Sequence, residues 1–240
     1  LGTVIQKSLQ KLYQYQRPEG GWGYFPESTE SYVSLTAYTV FGLDQIKKAG
    51  FHVDAGVINR AVAYLKDYMA NNRDLIDRYT GKLHKKDAEY ANNRAYMLFV
   101  LSEIGNGDVG LTNSLYEDKK LLGNAGKAYM IMTLNSLASS SADKIKALVG
   151  DLENQARIDA RGSYIRNDIS GGMSMMTHTK VTALAVQALT RVDVGHPLLP
   201  KLIKWLIGVR KDGRWDTTQD NVTSLIALTE YLAKTKELTA

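Results

Sequence analysis

Gln16-Arg17-Pro18-Glu19-Gly20-Gly21-Trp22-Gly23-Tyr24-Phe25, followed by Ser34-Leu35-Thr36-Ala37-Tyr38-Thr39-Val40-Phe41-Gly42-Leu43, is the stretch on which the reading of the fold turns. Ahead of it, Ile5, Leu9, Leu12 and Tyr13 fall at i, i+4, i+7 and i+8, the stripe of a half-buried helix. Pro18 and the Gly20-Gly21 pair stop that helix and turn the chain. Trp22, Tyr24 and Phe25 carry more aromatic surface than a solvated loop holds, so all three are expected to pack beneath the turn. A second helix is expected from near Ser31, running back antiparallel to the first. The unit is an αα-hairpin closed by a glycine-tryptophan turn.

The same grammar continues. Val57, Ile58, Ala61, Leu65, Tyr68 and Met69 trace a third amphipathic helix, and Asn71 to Asp87 is a polar loop holding Gly81. A fourth helix carries Tyr90, Ala91, Tyr96, Met97, Phe99 and Val100 and stops at Gly105-Asn106-Gly107. A short helix near Leu111 to Leu122 is broken by Gly123, and another runs on from Ala125 to a serine turn at Ser139-Ser140-Ser141. Ile145, Leu148, Val149, Leu152 and Ala156 mark the next one. From Gly162 to Thr177 periodicity is lost, with Gly171-Gly172-Met173-Ser174-Met175-Met176 read as a long rim loop. Thr182 to Leu189 is helical, Pro197 and Pro200 suit the first turn of the next helix, and Gly213-Arg214-Trp215 repeats the turn before a closing helix over Val222 to Leu232. No period-two strand is evident, and about ten helices are expected. The fold class is all-α.

A small residue followed by a bulky one opens alternate helices: Ala37-Tyr38, Ala95-Tyr96, Ala128-Tyr129, Ala183-Leu184 and Ser224-Leu225. Thr36, Thr182 and Thr223 stand just before three of these pairs. Small residues let crowded backbones approach, which suits the inner layer of stacked hairpins. The expected architecture is an α/α toroid, hairpins closing into a ring, incomplete at the N-terminus and formed by residues 1–240 as a single domain. Its inner helices are expected near 34–49, 88–104, 124–138, 179–191 and 220–234.

Composition bounds the chemistry. The 240 residues are 44% hydrophobic and 23% charged, ordinary for a globular domain with a sizeable core. Net charge is +5, but the cations are scattered, with Lys82, Lys85 and Lys86 the densest group, so a nucleic-acid partner is not expected. With no cysteine, the chain holds no disulfide, thiolate metal site or cysteine nucleophile. No apolar run reaches the ~18 residues of a membrane span. The chain opens on Leu1 without a signal-peptide pattern and reads as a segment of a longer protein.

Taken in order, the motifs carry a resemblance. Gly20-Gly21-Trp22-Gly23-Tyr24 leading to Leu35-Thr36-Ala37-Tyr38 resembles the opening of the helical domain in bacterial alpha-2-macroglobulins. Val181-Thr182-Ala183-Leu184, then Leu202-Ile203-Lys204-Trp205-Leu206, Arg210 and Gly213-Arg214-Trp215-Asp216-Thr217-Thr218-Gln219-Asp220, is similar to that domain's ending. The resemblance implies a thioester domain built as an α/α toroid, in a family whose internal Cys–Gln thioester, within a Cys-x-Glu-Gln motif, bonds covalently to an attacking protease or target surface. This chain has no cysteine, so the motif is expected upstream of Leu1 or is absent from this member, and the helix count falls about one hairpin short. The implied partners are proteases or target-surface proteins, met through the parent protein, and the parent's other domains. The implied location is the periplasm or cell surface, with no cofactor and no enzymatic activity.

The candidate site residues are His178, Lys180 and His84, all rim candidates without an assigned catalytic role. A histidine assists acyl transfer in vertebrate members; His178 does not clearly match that position, and His84 sits in a charged loop. The aromatics Trp22, Tyr24, Tyr32, Tyr38, Tyr96, Tyr129 and Trp215 are candidates for a lipid or sugar cavity, with core packing the simpler account. Met173, Met175 and Met176 are equally a contact surface or a buried loop. The alternative class is an αα-barrel enzyme. Terpene cyclases and prenyltransferases share the Gln-x-x-x-Gly-x-Trp turn seen in Gln16 to Trp22, but no Asp-Asp or Asp-x-Asp cluster is present. Carbohydrate-active barrels use two carboxylates, and the sequence singles out no pair.

Overall fold

In a computed structural model, residues 2–72, 75–76, 82–137, 141–169 and 176–236 are described. Among them lie ten α-helices: α1 Gly2–Gln14, α2 Val33–Lys48, α3 Ala55–Ala70, α4 Ala88–Glu103, α5 Val109–Glu117, α6 Asn124–Ser136, α7 Ala142–Gln155, α8 His178–Val192, α9 Leu199–Gly208 and α10 Thr218–Thr235. Two short strands, β1 Ala156–Asp159 and β2 Gly162–Ile165, pair antiparallel. The protein is mainly α, as the periodicity predicts, with helix bounds within a few residues of those expected.

The strands are a departure. They occupy the end of the expected Ala156 helix and the start of the stretch without periodicity, and join across Ala160-Arg161 with Asp159 opposite Gly162. Four residues are too few for an alternation to register: Ile158 is exposed and Ile165 buried, the only apolar contrast in the hairpin. The Asp159 carboxylate accepts the Arg161 N–H at 2.8 Å and tightens the turn.

Local signals account for the helix ends. Asp54 caps α3 by accepting the Gly56 N–H at 2.7 Å. Thr177 caps α8 and Thr217 caps α10, each accepting the N–H three residues on, from Lys180 and Asp220. Gly50 and Gly105 stand at positive φ just beyond α2 and α4. There Phe51 N–H reaches Ile46 O and Asn106 N–H reaches Leu101 O, the paired closure that a left-handed residue allows.

Two compact units divide the chain: residues 1–86 with 96–111, and residues 87–95 with 112–240. In the first, Ala37, Val40 and Leu43 of α2 and Val57, Ala61, Leu65 and Met69 of α3 are core residues, together with Leu9 and Trp22. In the second, α6 buries ten of its thirteen residues and α8 eleven of its fifteen, so both are helices covered nearly all round. Helix α7 buries Leu148 and Leu152 alone, the narrow stripe of an outer helix. The small residues read as inner-layer positions, Ala37, Ala95, Ala128, Ala183 and Ser224, each have 0% exposure. Their bulky successors differ: Tyr129 and Leu184 are buried, Tyr38 and Leu225 exposed. The small residue carries the packing.

Candidate functional site

Two features position side chains beyond ordinary core packing: the glycine-tryptophan turns, and the joined N-termini of α8 and α10. The first turn is built on Gln16. Its Nε2 donates to Gly20 O at 2.9 Å and Val57 O at 2.8 Å, while its Oε1 accepts from Arg60 Nη2 at 2.6 Å. The turn is thereby fastened to α3. Trp22 lies beneath it at 2% exposure, its indole N–H donating at 2.8 Å to the carbonyl of Leu12 in the last turn of α1. Its backbone N–H donates to Thr36 Oγ1 at 3.0 Å.

Trp215 repeats the device. It is 4% exposed, its indole N–H donates at 2.8 Å to the carbonyl of Leu206 near the end of α9, and its backbone N–H donates to Asn221 Oδ1 at 3.1 Å. In both turns the tryptophan fills the hairpin and satisfies a helix-end carbonyl that would otherwise be orphaned. Gly20 and Gly213, each two residues before its tryptophan, both have positive φ. Thr182 plays the part of Thr36 once more, accepting the Ile165 N–H from β2 at 3.1 Å.

Tyr24 and Phe25 overturn the expectation of packing beneath the turn. Tyr24 is 44% and Phe25 72% exposed. The Arg17 guanidinium donates to the carbonyls of Ser28 and Thr29 and closes the loop that carries both exposed rings.

His178 and Lys180 share the first turn of α8. The exposed His178 ring stacks on Tyr164 of β2, with centroids 5.6 Å apart, and its Nδ1 accepts the Asn167 N–H at 3.1 Å. Tyr164 stacks in turn on Trp205 of α9 at 4.9 Å, and the Trp205 indole donates to Asp159 at 2.9 Å. Lys180 is buried, its Nζ donating to Gln219 Oε1 at 2.5 Å, and the Thr177 hydroxyl donates to Asp220, which is 1% exposed. Further along the pair, Arg191 of α8 forms a two-pronged bridge to Glu230 of α10, at 2.7 and 3.0 Å. Contacts at both ends, in the same order, make α8 and α10 parallel neighbours. His84 belongs to the first unit, exposed, with its N–H donating to Leu75 O at 2.7 Å. Met173 and Met175 lie outside the described residues; the Met176 carbonyl accepts from Asn167 Nδ2 at 3.0 Å.

Burial drives the Lys180 ammonium down to about 8, with the nearby Asp220 carboxylate opposing the fall. Because that value lies below the unfolded lysine range, the folded state binds fewer protons between about pH 8 and pH 10.5, and stability rises with pH across that window. Denaturant titrations at pH 7.5 and 9.5 are expected to show the gain in the parent chain and lose it in Lys180→Met. An unchanged rise in that variant would remove Lys180 as its source.

The cluster's chemistry is bounded. Thr177 is bonded to Asp220 and Lys180 to Gln219, and among the described residues no group of three His, Asp or Glu side chains is placed to hold a metal. The sequence singles out Lys180 but not its partners. In the sequence Gln219 and Asp220 stand only within the ending Gly213 to Asp220, because their contact with α8 joins residues some forty positions apart.

The fold and its turns define a class of protein: a mainly α chain in which buried tryptophans brace two glycine turns between helices. No protein-family model matches the chain. It is 25% identical over 225 residues to an alpha-2-macroglobulin homolog of Nostoc sp., spanning 93% of this chain and 11% of that protein. It is 41% identical over 68 residues to the alpha-2-macroglobulin of Thermotoga maritima, 28% of this chain and 4% of that one. Among solved structures, Salmonella alpha-2-macroglobulin reacted with methylamine overlays 95% of the chain with a TM-score of 0.74 at 20% identity, using 14% of its own length. Escherichia coli alpha-2-macroglobulin activated by porcine elastase overlays 95% with a TM-score of 0.73 at 16% identity, using 19% of its length. Bacterial alpha-2-macroglobulins are thus the chain's sequence homologues and share its fold, and the chain spans about a tenth of its Nostoc relative.

Proposed function

We propose that this chain is the thioester-type domain of a bacterial alpha-2-macroglobulin-like protein and contributes to protease trapping or host defence through that parent, without being an enzyme. The observation that supports this most is the alignment of 93% of the chain with one alpha-2-macroglobulin homolog, with the buried Gly-Trp turns and paired helix caps falling within it. One solved relative is an alpha-2-macroglobulin reacted with methylamine and another is an alpha-2-macroglobulin activated by porcine elastase, which supports a role in meeting proteases. Residues 1–240 as one ring-type domain, the parent's periplasmic or cell-surface location, and His178, Lys180 and His84 as non-catalytic rim residues belong to the same reading. No helix among the described residues is long and apolar enough to cross a membrane.

The test uses the segment and its parent together. The isolated 240-residue chain has no cysteine and is expected to gain no mass with methylamine. The parent is expected to take up one methylamine and, untreated, to retain elastase in a complex that resists denaturing electrophoresis. A parent that neither reacts with methylamine nor retains protease would contradict the trap. Release of diphosphate from a prenyl diphosphate with Mg²⁺ by the segment would turn the reading to an αα-barrel enzyme.

A further inference from the structure

The first glycine-tryptophan turn buries its tryptophan but displays the next two aromatics, and that display is built. Beyond Trp22 the loop folds back so tightly that a Cβ on Gly21 would lie 2.4 Å from Ser31 Cβ, and one on Gly23 2.2 Å from Ser28 Cβ. Arg17 clamps the carbonyls of Ser28 and Thr29, Ser28 Oγ accepts the Phe25 N–H at 3.0 Å, and the Tyr32 N–H donates to Trp22 O at 2.9 Å. Tyr24 leans on Tyr32 with centroids 4.7 Å apart. Phe25 therefore stands 72% exposed on a braced loop, where it contributes little to folding.

Beside it opens a cavity of about 380 Å³ lined by Phe25, Glu27, Ser28, Thr29, Glu30 and Tyr32. That volume lies within the ~300–1,000 Å³ typical of ligand sites. The lining combines aromatic rings with two carboxylates and has no cationic side chain. The sequence around it is unusual in the same sense. From Pro18 to Ile46 there is no Lys or Arg, while Glu19, Glu27, Glu30 and Asp44 fall inside, in a chain whose net charge is +5. An exposed ring next to carboxylates is the surface that favours a cation carried on an apolar stem: the stem packs on the ring, and the charge meets both the ring's negative face and the carboxylates.

We propose that the 24–32 loop is a docking surface for an Arg- or Lys-bearing peptide segment of a partner protein, with Phe25 as its apolar anchor and Glu27 as its charge partner. This holds whether or not the parent traps proteases. The basic side chain enters the cavity beside Phe25, and backbone on either side of it lies across Tyr24.

The probe is a fluorescent alanine-based peptide with a central Arg flanked by leucines, compared with the same peptide carrying neutral citrulline in its place. Anisotropy titration of the chain is expected to show the Arg peptide binding about fivefold tighter, an advantage that shrinks as salt is raised. Glu27→Gln is expected to bring the two peptides together, and Phe25→Ala to abolish binding of both. Because both side chains project from the loop, the variants are expected to melt with the parent, which separates loss of docking from loss of fold. Equal binding of the Arg and citrulline peptides, no binding of either, or full binding by Phe25→Ala would each overturn the proposal. Concentration-dependent dimerisation that Phe25→Ala removes would give the surface to a second copy of the chain and overturn it equally.

Discussion

Trp22→Ala is expected to lower the unfolding free energy by about 3–5 kcal/mol, and Trp215→Ala by a similar amount. Each indole lies beneath its turn at under 5% exposure, at 2% and 4%, so truncation opens a large cavity between paired helices. Truncation also removes the N–H bonded to Leu12 O or Leu206 O, leaving a buried helix-end carbonyl without its donor. For a chain of this size the melting temperature should fall on the order of 10 °C. Trp→Phe at either position separates the two contributions, keeping most of the apolar volume and losing only the hydrogen bond, about 1 kcal/mol. A Trp22→Ala or Trp215→Ala variant that melts within a degree or two of the parent would mean the indole is not a structural plug.

How much of this was legible follows from how local each signal is. The ten helices are written in apolar spacing and in glycine and proline stops, all within a few residues of where they act. Ala37, Ala95, Ala128, Ala183 and Ser224 are expected to open alternate helices; the structure sets them inside those helices, Ala95 midway along α4, and buries all five, as small residues at crowded positions allow. Phe25 was misread because apolar character alone does not say which way a loop faces. Arg17 closes that loop by reaching carbonyls eleven and twelve residues on. The β1–β2 hairpin escaped because its four-residue strands offer no countable alternation. The α8–α10 junction escaped for a different reason: Thr177, Lys180, Gln219 and Asp220 are ordinary capping residues until the fold sets one helix beside the other.

The two turn glycines look alike in sequence and in backbone sign, yet alanine should affect them very differently. Gly20 has φ +101°, and a Cβ there would lie 2.3 Å from the carbonyl oxygen of Arg60 in α3. That neighbour is backbone, held by the helix and by the Gln16 bonds, so it has little room to give. Gly20→Ala thus combines the strain of a left-handed residue with steric overlap, each worth about 1–3 kcal/mol, and is expected to cost about 3 kcal/mol or more. Gly213 has φ +78° and nothing within 4 Å of the same position. Gly213→Ala should therefore cost only the conformational strain, about 1–2 kcal/mol, and Gly213→Asn less, because asparagine enters this region readily. At Gly20 asparagine brings no rescue, since its Cβ meets the same carbonyl. Unfolding of the four variants decides the matter: equal losses at Gly20 and Gly213, or rescue of position 20 by asparagine, would show that the turn does not rest on the α3 backbone.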